Sequence, residues 1–262
     1  MNIFLTGSNG SVGKRLQECI RNKYSMVYCP SKHDVDLSNF FEVKAYFNKH
    51  PDIDLIIHCA TGNPHYWEDS PAWSQRMNDD IAMISNLLYF ERQMIVLTSG
   101  STGRTEIGWP KLVQSILCKS LGDVIELRPF GIYGPGEDPQ RFPSYCFSQI
   151  LKNEPIIINN NRSMSYVYVD DLCEIIEYCI NIHSPYTTYE IANPEPITMK
   201  QIAVECLRIS NVTVPIEIRD YGKPYEADVS AWLELFPDWT PTPWAEGLSA
   251  LYEEVKNDKN EM

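Results

Sequence analysis

Three glycines near the start of the chain have the spacing of an anion-binding loop. Gly7, Gly10 and Gly13 follow the apolar run 2–6, and a stretch with helical periodicity begins at Lys14. The run contains no turn former and is typical of a strand buried on both faces. A strand, a glycine turn and a helix start bring free N–H groups and a positive helix dipole to one point, which favours a pyrophosphate. We therefore predict a dinucleotide site here. The alternative is a tight turn without a ligand.

The elements that would position this loop alternate between strands and helices. Further buried strands are predicted at 25–29, 53–61, 94–99 and 124–128, and helices at 40–50, 73–92 and 110–120. This alternation predicts an α/β fold with a doubly wound parallel sheet. Ligands of such sheets lie at the carboxyl ends of the strands, where Gly7, Cys59 and Ser99 fall.

From Pro129 onward, prolines and turns become frequent. Strands are predicted at 166–171, 188–192 and 214–219, and helices at 172–181, 199–210 and 245–256, with Thr198 as an N-cap. This change predicts a small C-terminal α+β lobe. We expect a nucleotide-binding domain over 1–134 plus 162–192, and a substrate-binding lobe over 135–161 plus 193–262.

The end of the second strand bears on the type of dinucleotide. A cofactor without a 2′-phosphate usually meets an acidic residue there, bonded to the adenine ribose. This chain has Pro30, Ser31 and Lys32 instead. A lysine and a hydroxyl suit a 2′-phosphate, so NADP is favoured over NAD. Lys32 is equally explained as a solvated loop charge.

Composition excludes several classes of function. The net charge of −13 disfavours binding to nucleic acid or to anionic membranes, and no apolar run approaches a membrane span. The eight cysteines form no CxxC pair, and the five histidines lack metal-ligand spacing. We expect reduced thiols, no metal and a cytoplasmic protein without a membrane partner.

Taken in order, the motifs resemble those of the extended short-chain dehydrogenase/reductase family, the NAD(P)-dependent epimerases, dehydratases and reductases of nucleotide-linked sugars. The motifs are TGSNGSVG at 6–13, DVDL at 34–37, HCAT at 58–61, Asn78 with NLL at 86–88, RPFGIYGPG at 128–136, YVDD at 168–171, ADVS at 227–230 and WAEGL at 244–248. The resemblance covers nearly the whole chain and implies a Rossmann-type sheet. The short link from Tyr28 to Asp36 is similar to that of nucleotide-4-keto-6-deoxysugar reductases and epimerase–reductases.

The resemblance and the glycine loop together assign site residues. Cofactor contacts are expected from Gly7, Ser8, Asn9, Gly10, Ser11, Val12, Gly13, Ser31, Lys32, Asp36, Leu37, Cys59, Ala60, Thr61, Asn78, Lys111 and Pro129. Substrate contacts are expected from Ser99, Ser101, Tyr133, Arg141 and Arg219, with Arg162 also available. The guanidinium group is planar and suits phosphate oxygens.

The catalytic motif departs from the family at one residue. The family uses a Ser or Thr at the substrate, a proton-transferring Tyr, and a Lys four residues later that lowers the Tyr pKa. Ser99 and Lys111 occupy the first and last positions and are the predicted catalytic residues, but Ile107 occupies the tyrosine position. Isoleucine cannot transfer a proton. The candidate substitutes are His65, Tyr66, Tyr133, Ser101 and Thr102, the last two through water.

Two functions follow. The first is an NAD(P)-dependent enzyme that reduces, epimerises or dehydrates a nucleotide-linked sugar with an atypical active site, and it is the favoured hypothesis. The alternative is a catalytically impaired relative that binds a dinucleotide and regulates or scaffolds a partner. The helices at about 74–91 and 110–121 correspond to the family's dimer helices, so we expect a homodimer.

Overall fold

The computed structural model describes residues 1–62, 73–104, 108–121, 123–182 and 187–261. Ile107, His65 and Tyr66, on which part of the catalytic hypothesis depends, lie outside the described residues.

Strands and helices of the described residues largely follow the predicted alternation. In chain order the strands are β1 (Asn2–Thr6), β2 (Met26–Tyr28), β3 (Leu55–His58), β4 (Gln93–Leu97), β5 (Val124–Pro129), β6 (Gly131–Tyr133), β7 (Ile156–Ile158), β8 (Ser163–Met164), β9 (Tyr166–Tyr168), β10 (Thr187–Ile191), β11 (Ile197–Thr198) and β12 (Ile216–Ile218). The helices are α1 (Ser11–Ile20), α2 (Phe40–Lys49), α3 (Trp73–Leu88), α4 (Trp109–Leu121), α5 (Phe142–Lys152), α6 (Val169–Ile180), α7 (Met199–Ser210), α8 (Ser230–Leu235) and α9 (Trp244–Glu261).

Six strands form a central sheet in the order β10-β5-β4-β3-β1-β2. The pairs β1–β2, β1–β3, β3–β4 and β4–β5 are parallel. The order reverses between β1 and β3, and ligands of doubly wound sheets bind at such a switch point. The predicted fold class is therefore confirmed.

The chain divides into two units by its internal contacts. The first comprises Met1–Arg128 and Cys173–Tyr189, and the second comprises Pro129–Leu172 and Glu190–Met262. These limits differ from the predicted boundaries of the nucleotide-binding domain and the substrate-binding lobe, which stay a prediction.

One face of the central sheet carries a layer of helices. Alternate residues of each strand share a face of the sheet. On this face the strands bury apolar side chains against α2, α3 and α4, among them Phe4, Ile56, Val96 and Val124. Thr6, His58, Thr98 and Glu126 follow these residues by two positions, so they point to the same side. Polar groups are thus buried where this apolar layer ends.

In the second unit, α5, α7 and α9 pack on one another around an aromatic and aliphatic core. Helix α7 begins as predicted, because Thr198 accepts a hydrogen bond from Gln201 N and forms a capping box with it. No helix in the described part of the chain is long and apolar enough to cross a membrane.

Candidate functional site

A groove in the first unit lies at the carboxyl ends of β1 and β3. The residues that line it are Thr6, Gly7, Ser8, Asn9, Pro30, Ser31, Lys32, Val35, Asp36, Leu37, Ser38, Ala60, Thr61, Gly62, Asp79 and Met83. Nine of them are predicted cofactor residues: Gly7, Ser8, Asn9, Ser31, Lys32, Asp36, Leu37, Ala60 and Thr61. The structure therefore brings the glycine loop and the two following strand ends together.

The glycine loop is built by close backbone contacts. Gly7 has φ +70°, and a Cβ on it would lie 2.7 Å from Ala60 N. A Cβ on Gly13 would lie 2.1 Å from Gly7 O, whereas one on Gly10 would lie 3.3 Å from the same oxygen. Gly7 and Gly13 thus allow the loop, α1 and the end of β3 to pack without side chains between them.

The start of α1 suits a pyrophosphate. Gly10 is the N-cap and offers no side-chain acceptor to the first turn, which also carries no acidic residue. The first N–H groups of a helix need acceptors, and the helix dipole favours an anion there. The fit of a dinucleotide to this groove rests on the absence of Cβ atoms from Gly7 and Gly13. The start of α1 follows the glycine loop directly and has no side-chain acceptor for its first N–H groups.

The rim at the end of β2 carries both signs of charge. Ser31 donates from its N and Oγ to Asp34 Oδ2, at 2.8 and 2.7 Å. Ser38 does the same to Asp36 Oδ1, at 3.0 and 2.7 Å. Hydrogen bonds from Ser38 lower the pKa of Asp36, and Lys32 adds to that effect. The predicted 2′-phosphate residue Lys32 is therefore close to a carboxylate that also lines the groove.

A buried histidine at the end of β3 was not predicted as a site residue. Thr6 Oγ1 accepts from Ala60 N at 3.3 Å and lies 2.8 Å from His58 Nδ1. Which of these two atoms donates depends on the histidine tautomer, because a threonine hydroxyl can accept two hydrogen bonds as well as donate one. Burial and the charge of Lys111 lower the pKa of His58 to about 3, so the ring is neutral. Its Nε2 has no hydrogen-bond partner among the described residues.

The predicted catalytic serine and lysine belong to the same unit. Ser99 Oγ accepts from Ser101 N at 3.1 Å and lies 2.9 Å from Ser101 Oγ. Lys111 lies in the first turn of α4, and its charge acts on His58. Burial raises the pKa of Cys59 to about 12 against the opposing charge of Lys111. A Cβ on Gly108 would lie 2.0 Å from Ser101 O, so the start of α4 touches the serine loop.

Some predicted cofactor residues do not line the groove. They are Gly10, Ser11, Val12, Gly13, Cys59, Asn78, Lys111 and Pro129. Asn78 is exposed, whereas its neighbour Asp79 lines the groove. The unpredicted lining residues are Thr6, Pro30, Val35, Ser38, Gly62, Asp79 and Met83. Most directly adjoin a predicted residue, so their adjacency is the signal that would have found them.

The second unit contains a groove of its own. Its lining residues are Gln140, Phe142, Tyr145, Ile157, Ile158, Asn159, Asn160, Arg162, Met199 and Arg219. Arg219 Nη1 donates to Asn159 Oδ1 at 3.0 Å, and the Arg162 guanidinium lies 5.7 Å from the Tyr225 ring centre. Two cations beside aromatic and amide side chains can hold an anionic ligand with a planar ring.

Two further substrate predictions lie away from that groove. Arg141 Nη1 donates to Ile132 O at 3.4 Å and does not line it. Tyr133 is 1% exposed and stacks on Trp244 with ring centres 4.9 Å apart. Burial raises the pKa of Tyr133, so this hydroxyl is poorly suited to transfer a proton.

The sheet order and the groove define a doubly wound α/β protein with a groove at the topological switch point of its sheet. A family model described as "NAD dependent epimerase/dehydratase family" matches residues 111–192. The predicted resemblance to extended short-chain dehydrogenases/reductases is confirmed by this match and by the fold. The replacement by Ile107 lies outside the described residues.

Solved structures share this fold over nearly the whole chain. A UDP-glucuronic acid 4-epimerase from Bacillus cereus in complex with NAD has a TM-score of 0.79 at 17% identity, covering 98% of this chain and 99% of its own. A GDP-L-fucose synthetase from Naegleria fowleri has 0.82 at 13%, covering 98% and 93%. A dTDP-4-dehydrorhamnose reductase from Bacillus anthracis in complex with NADP has 0.79 at 20%, covering 97% and 99%. No curated protein matches the chain by sequence.

Proposed function

We propose that the protein binds a nicotinamide dinucleotide in the groove of the first unit. The observation that carries the proposal is the close approach of Gly7 to Ala60 and of Gly13 to Gly7, next to an α1 start without a side-chain cap. NADP is the favoured form, with Lys32 as the partner of the 2′-phosphate. Asp36 opposes that preference, so the two cofactors must be compared directly.

The proposed activity is reduction, epimerisation or dehydration of a nucleotide-linked sugar. The structures of similar fold are named as enzymes of such compounds, and Arg162 and Arg219 supply cations for a diphosphate. When bound, the dinucleotide supplies or takes up the hydride. Ser99 would hydrogen-bond the sugar oxygen, and Lys111 would hold the nicotinamide ribose. Because Ile107 cannot transfer a proton, Ser101 is the proposed donor nearest to Ser99.

The second candidate is a protein that binds the dinucleotide without turnover and regulates or scaffolds a partner. The isoleucine at position 107 favours this candidate, since it removes the family's proton-transferring group. The intact glycine loop, Ser99 and Lys111 favour the enzyme.

Binding is tested by titrating purified protein with NADPH and NADH and following nicotinamide fluorescence. The Gly13→Ala variant, whose Cβ would meet Gly7 O at 2.1 Å, should weaken binding by about 100-fold or more. Gly10→Ala is its matched control, because its Cβ would lie 3.3 Å from the same oxygen and should cost about tenfold or less. Lys111→Ala should also weaken binding. If the wild-type protein binds neither cofactor, the proposal is wrong.

Turnover is tested with NADPH and a panel of keto-sugar nucleotides. Oxidation of NADPH that Ile107→Tyr accelerates would support the enzyme, whereas binding without turnover in both proteins would support the second candidate. Arg219→Ala should raise the KM for the sugar nucleotide. Arg208→Ala is the control, since Arg208 is exposed and pairs with Glu205 on α7.

We also propose a homodimer formed through α3 and α4. Trp109, Leu112 and Ile116 are 55%, 37% and 56% exposed and lie one and two turns apart on α4. Ile116→Asp should convert the dimer to a monomer in light-scattering chromatography. Val204→Asp, at an apolar site 48% exposed on α7, should not. A wild-type protein that runs as a monomer at high concentration would contradict the proposal.

The proposed location is the cytoplasm. All eight cysteines lie in the described part of the chain, and no disulfide joins them there. Fractionation of cells that express a tagged protein would test this location.

A further inference from the structure

A saturated carboxylate lies inside the first unit, behind the predicted catalytic residues. Glu126 is 0% exposed and stands opposite Val96 in the β4–β5 pair. Its Oε1 accepts from Thr98 Oγ1 at 2.6 Å, from Arg128 Nε at 2.9 Å and from Ser115 Oγ. Its Oε2 accepts from Arg128 Nη2 and Thr188 Oγ1, at 3.2 and 3.1 Å. Both oxygens are therefore fully used.

The donors come from elements that carry the predicted site. Thr98 directly precedes Ser99, at the end of β4, and Ser115 lies one helical turn after Lys111 on α4. Arg128 Nη2 also lies 3.2 Å from Ser115 Oγ. Thr188 comes from β10, which holds no predicted catalytic or cofactor residue. One carboxylate thus joins the serine strand to the lysine helix.

Stability alone gives a weak reason for this arrangement. Neighbouring positions on the same sheet face hold Val96 and Val124, so an aliphatic side chain would suit the layer. A buried ion pair is often no more stabilising than well-packed apolar residues of similar volume. Hydrogen bonds to a charged carboxylate, however, fix distance and direction, which apolar contacts do not.

We propose that Glu126 is a positioning residue that holds the Lys111 turn of α4 in place through Ser115, and ties it to the Ser99 end of β4 through Thr98. The catalytic roles of Ser99 and Lys111 rest on the proposed function. The position of Lys111 does not rest on it, so the two proposals can fail separately.

The test measures how fast acetic anhydride acylates Lys111 in the folded protein without dinucleotide. Mass spectrometry of the peptides gives the Lys111 rate relative to that of Lys119, which is exposed on the same helix. Ser115→Ala and Glu126→Gln should change this ratio by about threefold or more, since each releases the Lys111 turn. Thr188→Val is the matched control, because it removes a donor to the same carboxylate from a strand without site residues. Its ratio should stay within about 1.5-fold of wild type.

Cofactor affinity supplies the second readout. Ser115→Ala should weaken NADPH binding by about fivefold or more. Thr188→Val should lower the melting temperature by a similar amount but bind NADPH with nearly the wild-type affinity. If the acylation ratios of Ser115→Ala and Glu126→Gln equal that of Thr188→Val, the positioning role is overturned. If the wild-type protein binds no dinucleotide, the proposed function fails and the acylation ratio still decides this inference. Ser115→Ala serves where Glu126→Gln does not fold.

Discussion

Two carboxylates, one in each unit, are enclosed in different ways. Glu126 in the first unit has both oxygens saturated by hydroxyl groups and by the fork of Arg128. Glu137 in the second unit uses one oxygen only. Its Oε1 accepts from Ser144 N and Oγ, at 2.8 and 2.7 Å, while its Oε2 is shielded from solvent without a partner among the described residues.

The difference separates a carboxylate paired with a guanidinium from one whose pKa lies near neutrality. Glu126 is matched by a guanidinium, so its charge is compensated where it lies. Glu137 is half-buried, and this burial raises its pKa to about 7. The hydrogen bonds from Ser144 and the charge of Arg141 act in the opposite direction. The first arrangement can hold neighbouring elements in register, and the second makes stability depend on pH near neutrality.

The largest expected effect comes from breaking the saturated site. Glu126→Ala should lower the free energy of unfolding by about 3 kcal/mol, because it leaves Arg128 partly buried without its carboxylate. Urea denaturation at pH 7 measures this loss. Glu205→Ala, which breaks an exposed pair with Arg208, should cost about 0.5 kcal/mol and is the control. Equal losses in the two variants would contradict the comparison.

The next effect is the pH dependence of Glu137. The folded pKa of Glu137 lies above its ordinary value of 4.5, so the folded state favours the protonated carboxyl group. Its stabilising contribution is complete below pH 4.5 and is lost as the pH rises through about 7. Between pH 4.5 and about 7 the free energy of unfolding of the wild-type protein should therefore fall by up to about 3 kcal/mol through this group, and in Glu137→Gln this fall should be absent.

Asp228 offers a control of opposite sign. It accepts from Ser230 N and Oγ, at 3.1 and 2.6 Å, in the same way that Glu137 accepts from Ser144. These bonds lower the pKa of Asp228, so its contribution is present above its ordinary pKa and is lost as the pH falls. Urea titrations between about pH 2 and 8 compare Glu137→Gln and Asp228→Asn with the wild-type protein, since Asp228 titrates below its ordinary pKa of 3.8. A Glu137→Gln curve parallel to wild type would show that burial does not govern this carboxyl group.

The smallest expected effect is the loss of a single hydroxyl donor to Glu126. Thr188→Val should cost about 1 kcal/mol, because it removes one of several donors to Glu126 and keeps the side-chain shape. Thr188→Ser retains the hydroxyl and should restore most of the hydrogen-bond contribution. Urea denaturation of the two variants side by side gives the difference, and a Thr188→Val protein as stable as Thr188→Ser would refute it.

Much of the fold was predictable because its signals are local. β1 and β5 are short apolar runs, and α7 follows a capping residue, Thr198. Helix α5 was not predicted. Its first turn begins at Phe142-Pro143 and its N–H of Ser144 is satisfied by Glu137, a contact made from outside the helix.

The candidate site was predictable only in part, for the same reason. The glycine loop is visible in the spacing of its glycines, and the structure places its first four residues, 6–9, in the groove. His58 and Glu126 are polar residues within or at the end of apolar strands, and composition does not reveal which neighbours satisfy them. Their partners, such as Thr6 and Thr188, lie 52 and 62 residues away in the chain.

The amino-acid sequence by itself determined the alternating α/β pattern, the glycine loop at the end of β1 and the departure at Ile107, because each depends on residue type and short spacing. Only the tertiary structure decided that Tyr133 is a core residue, that Asp79 lines the groove while Asn78 does not, and that Glu126 ties the Ser99 strand to the Lys111 helix. Burial and long-range hydrogen bonds set these roles, and both arise only when distant segments pack together.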